Sequence, residues 1–276
     1  MAMNILIFLS VGYGLVMLFM FLFQRNLMYY PETAIEDPAH YGITDIQVFT
    51  LDTHDKITIE AWYRPAAKSF PTIVYFHGNA GHIGNRIEKL IHFTNAGFGM
   101  FAISYRGYGK SKGQPSESGL YEDARAAVHY ATTQLGIAPE HIILYGESLG
   151  SGVATHTAKA MADAGTPAGG LVLEAGYTSV ARRAQELYPF IPAYYLARDK
   201  YHSIGKIGGI GCPLLLFHGA KDTVIPIHHG RSMLDNAPEP KRGVFFDEVD
   251  HTAFDFTVLT HELTAFAKEH GLTGKA

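Results

Sequence analysis

One cysteine, Cys212, stands alone in 276 residues, so no internal disulfide can form and nothing demands an oxidising compartment. Charge is scarce as well. Asp, Glu, Lys and Arg make up 17% of the chain, below the roughly 25% of ordinary soluble domains, which points to a part of the molecule that does not face water. Net charge is −4 with no basic block, so the electrostatic footprint of a phosphate backbone is missing and no nucleic acid partner is expected. Neither an internal repeat nor a Ser/Pro-rich linker divides the chain. The 47% hydrophobic content excludes disorder, and 29 glycines and 13 prolines without a period exclude a collagen-like chain.

What is abundant comes first in the chain. Residues 5–23 are uncharged and apolar except for Ser10 and Tyr13, and at about 1.5 Å per residue they span roughly 28 Å, the thickness of bilayer hydrocarbon. Gln24, Arg25 and Asn26 follow, then Tyr29 and Tyr30, the cation and aromatics of a membrane interface. A cleaved signal peptide would carry basic residues in positions 1–4 and small ones near 19–23; this chain has neither. A buried soluble helix would alternate with polar positions, and this one is apolar all round. Residues 1–30 are therefore expected to be a single-pass anchor with its juxtamembrane segment. Arg25 after the span favours a cytoplasmic remainder.

Beyond the anchor the pattern alternates. Strands are predicted at residues 43–51, 57–63, 72–76, 99–104, 141–145, 170–174, 213–217 and 244–249, and helices at 84–95, 117–134, 150–162, 227–235 and 254–269. Several strands are unbroken apolar runs, such as Ile142-Ile143-Leu144-Tyr145, the mark of strands covered on both faces in a parallel sheet. The first two have no helix between them, so that edge is expected to be antiparallel. The fold class is α/β: one domain over 31–276 with a mostly parallel sheet of about eight strands flanked by helices. Residues 176–201 break the alternation and crowd Tyr177, Tyr188, Phe190, Tyr194 and Tyr195 around Pro189 and Pro192. They read as a short cap-like insertion, with Tyr177, Tyr188 and Phe190 as candidate substrate-binding residues.

Three loops carry chemistry. Gly146-Glu147-Ser148-Leu149-Gly150 lies between a buried strand and a helix, the setting of a nucleophile elbow, where a strained serine needs side-chain-free neighbours. A serine hydroxyl needs a base, and the base an orienting acid. Asp222 follows the strand ending in Phe217, and His251 follows the last strand. The order Ser148, Asp222, His251 is that of the α/β hydrolases, not of chymotrypsin or subtilisin. Glu174 also ends a strand and is the rival acid, whereas Asp250 adjoins the histidine and suits a loop hydrogen bond better. Developing oxyanion charge needs amide donors; His77-Gly78-Asn79-Ala80-Gly81 follows a buried strand, so the backbone N–H groups of Asn79 and Leu149 are the expected pair, and His77 is expected to be structural. Phosphate-loop and zinc-protease look-alikes fail: Ser104 stands where the former needs glycine and Ala265 where the latter needs histidine. No metal or cofactor is expected.

Together with Tyr29-Tyr30-Pro31, Tyr105-Arg106-Gly107-Tyr108-Gly109-Lys110-Ser111, His218-Gly219-Ala220-Lys221-Asp222 and Asp250-His251, these pieces make the sequence resemble the α/β-hydrolase superfamily. It is most similar to small serine hydrolases with an N-terminal membrane anchor, which include lipid esterases and protein depalmitoylases. The resemblance implies the fold, and it implies nucleophile, acid and base at Ser148, Asp222 and His251. It says little about the insertion. The expected activity is hydrolysis of fatty acyl esters such as monoacylglycerol or lysophospholipid, with the bilayer as partner. Thioesters of S-acylated proteins are the alternative; a serine peptidase or a non-catalytic membrane-bound binding module is the more distant reading.

Overall fold

A computed structural model describes residues 1–273. Helix α1, Ala2–Met28, leads into eight strands of one sheet: β1 Gln47–Asp52, β2 Thr58–Arg64, β3 Thr72–Phe76, β4 Gly99–Ile103, β5 Ile142–Glu147, β6 Gly170–Glu174, β7 Leu214–Gly219 and β8 Lys241–Phe246. Their spatial order is β8-β7-β6-β5-β3-β4-β2-β1. β1 and β2 pair antiparallel, as do β2 and β4, and every other pair is parallel. The five strands from β3 to β7 are buried along their whole length, because helices cover both faces, which explains their uninterrupted apolar sequences.

The helices after α1 are α2 Ile87–Asn95, α3 Glu117–Thr133, α4 Leu149–Asp163, α5 Val180–Leu187, α6 Ala193–Leu196, α7 Ile227–Asn236 and α8 Phe256–Glu269. Two hydrophobic clusters, one on each face of the sheet, hold them: one around Val74, Phe76, Leu144 and Val153, the other around Tyr75, Tyr145, Phe217 and Phe266. From β3 the chain winds toward β4, and from β5 it winds the other way toward β8. The reversal falls between β3 and β5, where the carboxyl ends of a parallel sheet leave a crevice for ligands.

One predicted strand is displaced. β8 runs Lys241–Phe246, not 244–249. It is the outermost strand, half-buried throughout, so its core-facing signal is diluted by Lys241 and Arg242, and the apolar run beginning at Val244 misplaces it. The insertion is not featureless either: it folds into α5 and α6. Tyr29, read as an interfacial aromatic, is buried, and its hydroxyl meets Asp199 Oδ2 at 3.2 Å and Tyr201 Oη at 2.9 Å.

Candidate active site

The turn after β5 is as tight as its glycines require. Ser148 sits at φ 50°, ψ −115°, a strained region for a residue with a side chain. A Cβ on Gly146 would lie 2.4 Å from the carbonyl oxygen of Gly150, and one on Gly150 would lie 2.0 Å from that of Phe76. The amide of Ser148 donates to the carbonyl of Glu174 at 2.8 Å, which anchors the turn to the neighbouring strand.

Asp222 and His251 reach this turn from two later loops. Asp222 is buried, and its Oδ1 accepts from the amides of Val224 at 2.9 Å and Ile225 at 2.7 Å. Its Oδ2 is left to accept from His251 Nδ1 at 2.8 Å, while His251 Nε2 accepts from Ser148 Oγ at 2.8 Å. The three groups form one hydrogen-bonded row. The histidine loop crosses the end of β7 so closely that a Cβ on Gly219 would lie 2.2 Å from the carbonyl oxygen of Val249. Asp250 accepts from the amide of Thr223 at 3.1 Å, a loop bond as its position suggested. Glu174, the rival acid, does not reach the histidine: Lys89 Nζ donates to both its oxygens, at 2.7 and 2.8 Å.

That lysine belongs to a buried ionic cluster that the sequence did not reveal. Glu147 accepts from Lys89 Nζ at 2.8 Å, Arg86 Nη2 at 2.8 Å and Tyr75 Oη at 2.5 Å, and Tyr145 Oη donates to Glu174 at 2.5 Å. Burial opposes ionisation of Glu147, but Lys89 and Arg86 outweigh it and hold its carboxyl well below the usual range. The cluster braces the elbow from beneath: two cations against two carboxylates leave no unpaired charge in the core. α2 at 3.6-residue spacing and a Glu in the elbow were the available signals; neither announces the pairing.

The second loop lies beside the serine. A Cβ on Gly78 would stand 3.0 Å from Glu147 Oε1 and 3.6 Å from Ser148 Cβ, so this loop packs directly on the elbow and the ionic cluster beneath it. Asn79 is pinned at three points. Its carbonyl accepts from the Tyr30 amide at 2.9 Å and Tyr108 Oη at 2.8 Å, and its Nδ2 donates to the carbonyl of Met28 at 2.8 Å. The last bond ties this loop to the end of α1. Leu149 is the first residue of α4, where a helix has no internal acceptor for its N–H. His77 is fully buried; burial, aided by Arg86, lowers its imidazole to about 3, so the ring is neutral, with Nδ1 donating to the carbonyl of Gly78 at 2.7 Å.

Ser148, Leu149 and Asn79 line one cavity of ≈ 260 Å³. Tyr177 and Tyr188 line it too, Tyr177 donating to the Leu149 carbonyl at 3.0 Å. Phe190 does not: it is 87% exposed at the tip of the insertion, between Pro189 and Pro192, and is not among the residues of the cavity wall. Residues the sequence reading did not assign to a site complete the wall, notably Met20 and Leu27 of α1 and Arg183 of α5. Glu186, His228 and His229 bring three possible metal-donor atoms within 4.8 Å of one another. Their own bonds account for them, with Glu186 accepting from His229 Nε2 at 3.1 Å and facing His228 Nε2 at 3.3 Å; they join the insertion to α7.

Sheet order, elbow and crevice are those of the α/β-hydrolase fold. Residues 67–204 match the family described as serine aminopeptidase, S33, and the chain belongs to that family. An uncharacterized protein of Mycobacterium tuberculosis is 31% identical over 265 residues, covering 94% of this chain and 92% of the relative. The lysophosphatidylserine lipase ABHD12 of Danio rerio is 32% identical over 241 residues, covering 75% of this chain and 63% of the relative. Among solved structures, an esterase of Pyrococcus furiosus superposes with a TM-score of 0.67 at 16% identity, covering 88% of this chain and 97% of its own.

Proposed function

We propose that this protein is a membrane-anchored serine hydrolase that cleaves single-chain fatty acyl esters. Ser148 Oγ attacks the acyl carbonyl as its proton passes to His251 Nε2, and Asp222 fixes the imidazole tautomer and stabilises the imidazolium. The amides of Asn79 and Leu149 receive the oxyanion. His251 then protonates the leaving alcohol, and a water activated by the same imidazole releases the acid from Ser148.

The observation that carries this reading is the Ser148–His251–Asp222 row, with both spacings at 2.8 Å, opening into a mainly apolar cavity. Its size, ≈ 260 Å³, lies below the roughly 300–1,000 Å³ of drug-sized sites and suits one acyl chain rather than two, as in a monoacylglycerol or lysophospholipid. A relative named as a lysophosphatidylserine lipase supports the same class. An aminopeptidase needs a free carboxylate for the substrate's amine. Among the described lining residues the one acid is Asp199, and Arg25 occupies both its oxygens.

Membrane attachment rests on α1, which is 27 residues long with a mean hydropathy of 2.5 in its most apolar window and no residue of that window buried. Arg25 after the span favours the cytoplasmic side for the remainder. A fluorophosphonate probe tests the whole reading: it labels wild type and leaves Ser148→Ala unlabelled. A folded wild type that stays unlabelled sinks the proposal. A panel of esters from two to sixteen carbons, with matching thioesters, then ranks substrates; preference for long-chain thioesters would move the assignment to acylated proteins.

A further inference from the structure

Six side chains on the cavity wall belong to α1: Met20, Phe21, Gln24, Arg25, Leu27 and Met28. An anchor that merely tethers a soluble domain has no reason to touch its active site. Here the contact runs for several turns. Tyr13 Oη donates to the carbonyl of Phe190 at 2.7 Å, Gln24 Nε2 donates to that of Leu196 at 3.3 Å, and the amide of Arg198 donates to Gln24 Oε1 at 2.6 Å. Arg25 closes the row on Asp199. Beyond Tyr13, the partly covered positions of α1 are Met17, Met20, Gln24, Arg25 and Met28, a stripe at helical spacing along one face.

The geometry sets a depth. Tyr13 and Met28 are fifteen residues apart in one helix, about 22 Å along its axis. Tyr13 lies near the middle of the apolar run, so the insertion climbs beside α1 well into the half of the bilayer next to the domain. Its outer surface fits that setting: Leu187, Phe190 and Tyr195 are 54%, 87% and 80% exposed, a cost in water that lipid removes. The bond from Tyr13 has the same logic, since a carbonyl at the tip of a loop in hydrocarbon must find a donor within the protein.

Resting on the ester-hydrolase reading above, we propose that the cavity is an acyl-tail site opening sideways into the bilayer, with the last turns of α1 as one wall and the Leu187–Tyr195 tip of the insertion as its rim. A lipid then slides its tail from the leaflet between α1 and the insertion until its ester reaches Ser148, without leaving hydrocarbon. α1 is part of the binding site.

The test uses the full chain in phosphatidylcholine nanodiscs and a hexadecyl fluorophosphonate with a diazirine near the end of its tail. Ser148 displaces fluoride from phosphorus, and light then fixes the tail to whatever it touches. The expected photoadduct lies in peptide 20–28 or 184–191. Labelled Ser148 with the adduct elsewhere overturns the inference and leaves the hydrolase reading intact; an unlabelled Ser148 overturns both. A Phe190→Trp variant reads the rim directly, after subtraction of the wild-type signal. Lipids brominated in their chains should quench its fluorescence more than aqueous acrylamide does, and the reverse order overturns the sideways opening.

Discussion

Lys89 Nζ lies 2.7 and 2.8 Å from the two carboxylate oxygens of Glu174, and that pairing separates the two acids that end strands near the nucleophile. Glu174 is committed to the core, its carboxyl pushed up by burial while Lys89 pulls it down. Asp222 keeps one oxygen for His251. Asp222→Asn should lower kcat by about 10⁴-fold, because the imidazole loses its tautomer and its counter-charge. Glu174→Gln should leave kcat within a few-fold yet destabilise the fold by about 3–5 kcal/mol, because one of the two carboxylates facing the buried cations Lys89 and Arg86 is lost. Steady-state kinetics beside thermal melts separate the two effects; the opposite pattern would reassign the acid.

The elbow gives a steric prediction. A methyl on Gly150 would stand 2.0 Å from the Phe76 carbonyl oxygen and 2.7 Å from that of His77, and backbone atoms cannot swing aside as a flexible side chain can. Gly150→Ala should cost more than about 4 kcal/mol and abolish fluorophosphonate labelling. Gly208→Ala, whose new methyl would meet nothing closer than 3.7 Å, should melt and label like wild type. Equal behaviour of the two variants would mean that the turn relaxes more freely than its packing implies.

These residues also show what a sequence carries. Ser148 and Asp222 were legible because each follows a strand whose unbroken apolar run marks it as buried, and His251 because it follows the last strand of the pattern; loops at the carboxyl ends of one parallel sheet converge without further information. β8 was misplaced because an edge strand has one neighbour and a weaker pattern. The Lys89–Glu147–Glu174 cluster was illegible for another reason: three charges far apart in sequence look like solvated side chains until the fold buries them together. Arg25 is the same case, read as a cation at a membrane surface and found in a bidentate pair.

Stability should depend on pH through imidazoles that the fold keeps neutral. Burial lowers His77 to about 3, and burial with nearby Lys206 lowers His156 to about 4. Both sit below the unfolded value near 6.5. Under acid the unfolded chain therefore takes up protons that the folded chain refuses. Their contribution is complete above pH 6.5 and is lost as pH falls through 4 and then 3. Asp123, raised by burial to about 6, works in the opposite sense, adding stability as pH falls from 6 toward 3.8. His156 stacks on Tyr121 with ring centroids 3.6 Å apart, so His156→Phe keeps the stack and removes the titration. Its Tm should fall less than wild type's between pH 6.5 and 4; parallel curves would rule His156 out as a contributor.

The clasp between Arg25 and Asp199 can be dissected by a double-mutant cycle. Arg25 Nε and Nη2 donate to Asp199 at 2.7 and 3.0 Å, and the carboxylate, 6% exposed, also accepts from Tyr29 Oη at 3.2 Å and the Glu117 amide at 3.2 Å. Arg25→Ala leaves that buried charge with two neutral donors. Removing one partner of a fully buried pair costs about 3–5 kcal/mol; the guanidinium is 41% exposed, so screening by water reduces the cost to about 1–3 kcal/mol. Arg25→Lys should restore little, since an ammonium cannot reproduce the two-pronged fork. In the Arg25→Ala/Asp199→Ala pair no carboxylate is orphaned, so its Tm should exceed that of Arg25→Ala alone. Catalysis should follow a different rule from stability. Both Arg25→Ala and the double variant free the end of α1 from the insertion, so both should lose at least about tenfold in kcat/KM for sixteen-carbon esters relative to four-carbon ones, which scarcely touch that wall. A long-chain loss that tracked Tm instead, recovering in the double variant, would make the clasp a device of stability alone.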